Sequence, residues 1–281
     1  YDSPGYVEFK ALQAGNDVLL LSESVDKAIG LISQAIDSGL YSQQDLEIHC
    51  KRILTQKFRC GLSAAPPVSS HHLMADLNSH YPDNFNIELY GKAVTLRRNE
   101  NNILPLLNTD TLRIATLMIG YTGLKVFQHR TDYYAQADHF TLPRHPDANT
   151  VAKLRHDLKN YNLIIIGINN TIPSPARNFG ISETTIALVD TLVRSTKCIV
   201  SLFTLPYAVK QFSNLDKCAA LLIGYQDNAD VYDASVQIIF GASAASAKLP
   251  VRANEMFPAG FGLITDEANR LSYNPWCEKS I

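Results

Sequence analysis

No run of about twenty apolar residues occurs in this sequence, so no segment reads as a helix crossing a bilayer. Excess basic charge is missing too. The 25 Lys and Arg stand against 27 Asp and Glu, a net charge near −2, and this argues against nucleic acid or a membrane surface as partner, since both need a positive field. Cysteine is sparse: Cys50, Cys60, Cys198, Cys218 and Cys277 are odd in number, and no two have metal-ligand spacing. They are read as small buried hydrophobes with no disulfide among them. There is no internal repeat and no low-complexity tract. Tyr1-Asp2-Ser3-Pro4-Gly5 carries neither an initiator Met nor a charged-then-apolar leader, so the chain is read as a piece cut from a longer protein, with its compartment unassigned by targeting.

What is present is ordinary for a globular protein. With 281 residues, 46% hydrophobic and 19% charged, the chain is long enough for about two domains and a sizeable core without staples. Residues 7–14 read as a helix stopped by Gly15. Val18-Leu19-Leu20-Leu21 is a continuous apolar run, predicted as a strand buried on both faces. A helix follows with Val25, Ala28, Ile29, Ile32, Ala35 and Ile36 on one face, ended by Gly39. Another, capped by Ser42, is predicted to turn Leu46, Cys50, Ile53, Leu54 and Phe58 inward before Gly61. One strand and three helices cannot close a core, so this segment is expected to complete a sheet or barrel begun outside it.

Residues 63–82 hold adjacent prolines, Ser-Ser, a Tyr-Pro step and His71-His72, and read as an inter-domain connector. Neighbouring histidines seldom face one ion and no third ligand is near, so no metal is expected there. From residue 83 the pattern alternates. A helix is predicted from Asn84 to Thr95. Strands are predicted at Arg113–Ile119, Leu163–Ile168, Cys198–Phe203 and Ala219–Ile223, with a weaker one at His139–Leu142. Helical stretches lie near Leu124–Tyr134, Thr150–Lys159, Glu183–Arg194, Tyr207–Phe212 and Asp230–Phe240. Alternation of this kind predicts an α/β fold, a mostly parallel doubly wound sheet of flavodoxin-like type over residues 83–264, followed by a tail over 265–281.

Three blocks carry a family resemblance. Ala11 to Leu21 with its Gly15-Asn16-Asp17, followed by Arg52-Ile53-Leu54 and Lys57 and then Gly61-Leu62, resembles the last strand and closing helices of the (β/α)8 barrel of family 3 glycoside hydrolases. Ala93-Val94-Thr95-Leu96 with Asn99 and Leu104-Pro105-Leu106 resembles the entry to that family's second domain. Gly241, Lys248-Leu249-Pro250-Val251 and Phe257-Pro258-Ala259-Gly260-Phe261-Gly262-Leu263 resemble its ending. Gly15-Asn16-Asp17 and the lack of a long insertion are most similar to two-domain bacterial β-N-acetylglucosaminidases.

The resemblance implies that residues 1–62 end a barrel and that the whole protein is a retaining hydrolase of terminal β-linked sugars, with no metal or organic cofactor. It also implies a periplasmic or secreted bacterial location. Partners would be the carbohydrate substrate, the preceding barrel portion and a further module beyond the tail, in some relatives β-lactamase-like. The family's nucleophilic Asp follows the seventh barrel strand and falls outside this chain; Asp2 lies in a turn-forming Asp-Ser-Pro-Gly and does not fit that role.

One weak catalytic candidate remains, Glu183, beside the reading that Ser182 caps a helix and Glu183 sits in its first turn. Ser22 and Glu23 follow the last barrel strand, where barrel sites are built, while Ser24 could cap the next helix. Gly120-Tyr121-Thr122-Gly123 lacks the spacing of a dinucleotide loop. Asn169, Asn170 and Arg177 follow a strand and suit sugar hydroxyls, although Asn is also an ordinary loop former. Two rivals stand beside the glycosidase reading. One is a structural or carbohydrate-contacting accessory domain, the other a free-standing flavodoxin-like binding domain.

Overall fold

A computed structural model of the chain describes residues 3–67, 69–78, 85–120, 123, 125–268 and 271. The chain forms two compact units, Tyr1–Ser79 and His80–Ile281, the division falling inside the stretch read as a connector. Asp2, Tyr121, Thr122 and Cys277 lie outside the described residues, as do the start of the helix placed at Asn84 and nearly all of the tail.

The first unit is helical: α1 (Tyr6–Gln13), α2 (Val25–Asp37), α3 (Gln43–Arg59) and α4 (Leu73–Asn78). Ser42 caps α3, its side chain accepting from the Gln44 N–H at 3.1 Å. Ser24 holds the N-cap position of α2, but its side chain makes no capping bond. Phe9, Leu12, Ala35 and Tyr41 form a small core with Ile32, Ile36 and Leu46 against it.

Two expectations are corrected here. Val18 to Leu21 forms no strand; Leu20 is 86% and Leu21 92% exposed, and Leu21 takes φ +57°. A strand needs ladder partners for its N–H and C=O groups, and among the described residues none is offered, so the most apolar run of this unit stays an irregular and largely bare segment. The inward face drawn for α3 is also largely exposed, including Cys50, Leu54 and Phe58; helical spacing marks a face as apolar but does not supply the surface that covers it. The stretch read as a connector contains α4.

The second unit contains α5 (Phe85–Ala93), β1 (Thr95–Asn99), β2 (Ile114–Ile119), α6 (Val126–Asp132), β3 (Ala137–Leu142), α7 (Ala148–Asp157), β4 (Leu163–Ile168), α8 (Glu183–Ser195), β5 (Lys197–Leu202), β6 (Ala220–Ile223) and α9 (Ala229–Phe240). The predicted helix over 207–212 is a 3-10 segment, Pro206–Gln211. The strands join in one sheet of order β1-β6-β5-β4-β2-β3, parallel throughout except that β1 runs antiparallel to β6. β1 was missed, because the helix was carried on to Thr95. Its text, Thr95-Leu96-Arg97-Arg98-Asn99, is too polar for a buried strand and fits an edge.

Period-two alternation sorts the sheet into two faces. Ala115, Leu117 and Ile119, with Ile164, Ile166 and Ile168 and with Cys198, Val200 and Leu202, pack under Leu154 of α7 and Leu188, Val189 and Leu192 of α8. Ile114 and Met118, with Leu163, Ile165, Ile199, Ala220 and Leu222, pack under Phe127 of α6 and Val231, Tyr232 and Phe240 of α9. Burial on both faces is why β4 reads as an unbroken apolar run and β2 and β5 as mostly apolar ones. Between α6 and α9, both side chains of the Arg130–Asp233 pair are buried, with Arg130 Nε 2.5 Å from Asp233 Oδ1 and Nη2 2.7 Å from Oδ2.

The cysteine reading holds for two of the four described residues and fails for two. Cys198 and Cys218 are buried, and loss of water pushes both thiols up to about 12. Cys50 and Cys60 are exposed. A short iodoacetamide pulse at pH 8 should therefore alkylate Cys50 and Cys60 and spare Cys198 and Cys218 until the chain is unfolded, as read by peptide mass spectrometry. Early modification of Cys198 would contradict the packing of β5.

Candidate functional site

Open α/β sheets bind ligands beyond the carboxyl ends of their strands, at the point where strand order reverses. Here that point lies between β2 and β4. The chain leaves β2 at Gly120 and β4 at Asn169, and the two are in contact: a Cβ on Gly120, at φ +91°, would stand 2.2 Å from the Asn169 carbonyl oxygen. Asn169 is buried. Its amide nitrogen is placed to donate to the Ile119 carbonyl at 2.7 Å and the Gly120 carbonyl at 3.2 Å, and the side chain also meets the Tyr232 hydroxyl at 3.1 Å. That hydroxyl donates to Asp227, and Asp227 also accepts from the Asn170 N–H at 2.6 Å. Burial and the neighbouring Asp227 push the Tyr232 phenol far up, so it remains a neutral donor. Among the described residues, the groups where β2 and β4 part are bonded to one another, which closes the crevice there.

Of the candidates in this region, Asn169 and Asn170 are thus brought together through Asp227. Asn169 faces inward and is spent on the loop. Asn170 is half-buried and Arg177 and Glu183 are exposed. Ser182 caps α8, accepting from the Thr185 N–H at 3.2 Å and donating to Thr185 Oγ1 at 3.0 Å, which accounts for Glu183 standing in a helical first turn. Asp227 and Tyr232 were not singled out in the sequence; an Asp four residues past a buried strand was the available signal.

In the first unit Ser22 and Glu23 are held by one side chain. Glu8, buried on α1, accepts from the Ser22 hydroxyl at 3.1 Å and the Glu23 N–H at 2.9 Å. Hydrogen bonds from its own N–H, from Ser22 and from Glu23 lower its pKa despite the burial. Asp17 likewise collects His49 Nδ1 at 2.5 Å and Arg52 at 3.2 Å, so the Gly-Asn-Asp and Arg-Ile-Leu text of the first block meet in one ion cluster. The His49 hydrogen bond, with Arg52 behind it, holds the Asp17 carboxyl below its ordinary range.

The other two blocks also prove to be contact sets. Asn99 brackets Leu104, accepting from its N–H at 2.8 Å and donating to its carbonyl at 2.9 Å. A Cβ on Gly241 would stand 2.6 Å from Pro105. Leu249 and Phe261 pair through the backbone at 2.9 Å, and Leu263 donates to the Leu96 carbonyl at 2.8 Å. Arg97 of β1 lies over the rings of Phe261 (4.0 Å) and Phe257 (4.8 Å). These residues fasten the start of the unit to its end.

One arrangement imitates a catalytic triad. Thr116 Oγ1 is 2.7 Å from His139 Nδ1, and His139 Nε2 is 3.0 Å from Asp132 Oδ2. Thr116 is fully buried and also accepts from Gln128 at 3.2 Å, so its hydroxyl has no route to a substrate and serves to tie β2, β3 and α6 together. Among the described residues no group of three His, Cys, Asp or Glu is placed to hold a metal ion.

No protein-family model and no curated protein sequence matches the chain. Solved structures do match. A glycoside hydrolase family 3 β-N-acetylglucosaminidase from Paenibacillus sp. superposes with TM-score 0.63 at 17% identity, covering 87% of this chain and 47% of that one. This chain has the fold of family 3 glycoside hydrolase structures. A β-glucosidase from Erythrobacter marinus gives 0.60 at 15% identity, over 93% and 45% of the two chains. The β-glucosidase of Listeria innocua gives 0.58 at 14%, over 88% and 37%. The chain therefore spans less than half the length of these solved structures.

Proposed function

We propose that this chain is the trailing part of a retaining β-glycosidase of the family 3 type, acting when whole on terminal β-linked sugars, with N-acetylhexosaminides as the preferred class. The observation that carries the reading is the superposition on the Paenibacillus β-N-acetylglucosaminidase across 87% of this chain. A retaining mechanism needs a nucleophilic carboxylate roughly 5 Å from an acid/base group. In this reading the nucleophile lies outside these residues, in the preceding barrel portion, and that portion covers the bare apolar side chains of the first unit, Leu20, Leu21, Leu54 and Phe58 among them.

The second unit would then act chiefly as a scaffold against which the barrel is completed. The inward commitment of Asn169 and the cap at Ser182 favour that role over direct sugar contact. Asn170, Arg177 and Glu183 are the side chains still free to reach a substrate from it.

The 281-residue chain alone is expected not to hydrolyse 4-nitrophenyl N-acetyl-β-glucosaminide above buffer. A version extended through its own upstream coding sequence is expected to turn that substrate over faster than the matching β-glucoside. Robust turnover by the 281-residue chain would put both carboxylates within it and make Glu183→Gln the first variant to measure. A folded, extended protein inert on every β-glycoside offered would overturn the reading.

A further inference from the structure

At the opposite end of the sheet from the closed crevice, the amino ends of β2 and β3 border a cavity of about 560 Å³, a size that suits a small ligand. Its wall includes Asp110, Arg113, Gln136, Asp138, Asn160 and Tyr161. The Tyr161 hydroxyl donates to Asp138 at 2.8 Å, and its ring meets Phe140 edge-on, with centroids 5.6 Å apart, so both the phenol and the carboxylate are held in place. The Asp110 carboxylate, the Arg113 guanidinium and the Gln136 and Asn160 amides have no hydrogen-bond or ion-pair partner among the described residues. The floor is secured separately: Asn162 accepts from the Arg113 N–H at 2.8 Å and donates to the Thr111 carbonyl.

The electrostatics select the ligand class. Two carboxylates and one guanidinium line the cavity, and the 3-10 turn that extends α7 ends at Asn160 in the wall, bringing the negative end of that helical run to the cavity. Phosphate or sulfate groups are disfavoured. Carboxylates and amide oxygens accept from hydroxyls, Arg and amide N–H groups donate to them, and a fixed tyrosine offers an apolar edge. We propose that this cavity is a binding site for a neutral, hydroxyl-rich ligand of pyranoside type. The proposal stands apart from the hydrolase reading, because it concerns only the second unit and predicts binding without turnover.

The test is a ¹⁵N-resolved NMR titration of the 281-residue chain with cellobiose and with N,N′-diacetylchitobiose. Fast-exchange shifts are expected at residues 110–114, 136–138 and 160–162, with a dissociation constant on the order of millimolar. Asp110→Ala and Gln136→Ala change exposed side chains and leave the fold intact. Each is expected to weaken binding by about fivefold or more, the loss of one or two hydrogen bonds. Absence of shifts at 50-fold excess of either disaccharide, shifts confined to residues 169–178, or equal shifts with inorganic phosphate would each overturn it.

Discussion

Replacing Arg130 with Met is expected to destabilise the second unit by about 3–5 kcal/mol and to lower its melting temperature by roughly 10 °C. Arg130 is 2% and Asp233 1% exposed at the side chain, and the guanidinium meets the carboxylate through two nitrogens. Gln237 adds a bond to Asp233 at 3.1 Å and the Tyr133 ring lies 4.8 Å from the guanidinium. Removing the cation leaves a carboxylate in an apolar interface between α6 and α9, where water cannot follow it. Burial already raises the Asp233 pKa against the pull of Arg130. Without the arginine it rises further, so the native state binds a proton that the unfolded chain releases.

The sign of the pH dependence follows. With the folded pKa above the unfolded one, stability falls as pH rises from the ordinary Asp range toward the raised value. The variant should be closest to wild type near pH 4 and furthest from it near pH 8. Arg130→Met with Asp233→Leu removes both charges, and thermal melts of this double variant should recover most of the loss. If the single and double variants melt alike at pH 8, the cost comes from packing volume and the ion-pair account is wrong.

Much of the second unit was legible because its central strands are buried on both faces. Leu163–Ile168 is a six-residue apolar run that becomes β4 with the same bounds, and β5 and β6 differ from prediction by a residue at their ends. The edges were harder to read. β3, Ala-Asp-His-Phe-Thr-Leu, was only a weak candidate and β1 was lost to the helix before it, because an edge strand half in solvent carries Asp, His and Arg without penalty. In the first unit the logic ran the other way. Val18 to Leu21 reads as a strand by composition, yet composition cannot provide the neighbouring strand that would make it one.

The residues picked for chemistry were chosen by their place after strands, a rule that does not foresee the tasks of the side chains. Asn169 is used to close a loop and Ser22 to satisfy Glu8. Neither use could be seen in the sequence, because the partners lie fourteen residues away for Ser22 and sixty-three for Tyr232 against Asn169. The motif blocks were legible as text and opaque as physics. Asn99, Pro105 and Gly241 looked like a signature of function, and the contacts show them to be a clasp.

Gly120→Ala tests whether the crevice between β2 and β4 is closed as described. Gly120 sits at φ +91°, donates to the Leu142 carbonyl at 2.9 Å, and has the Asn169 carbonyl where a Cβ would go. A left-handed backbone costs a non-glycine residue about 1 kcal/mol. A 2.2 Å approach to a backbone atom forces the β4 exit loop to move, adding about 1–3 kcal/mol. Gly123 provides the internal control. It has a similar φ of +96° but nothing within 4 Å of its virtual Cβ, so Gly123→Ala carries the backbone cost alone. Urea unfolding should show Gly120→Ala losing about 2–4 kcal/mol and Gly123→Ala about 1 kcal/mol or less. Equal losses would mean that Asn169 does not press on Gly120 in solution. The crevice would then be open to a ligand, and Asn169 would return to the list of side chains able to meet one.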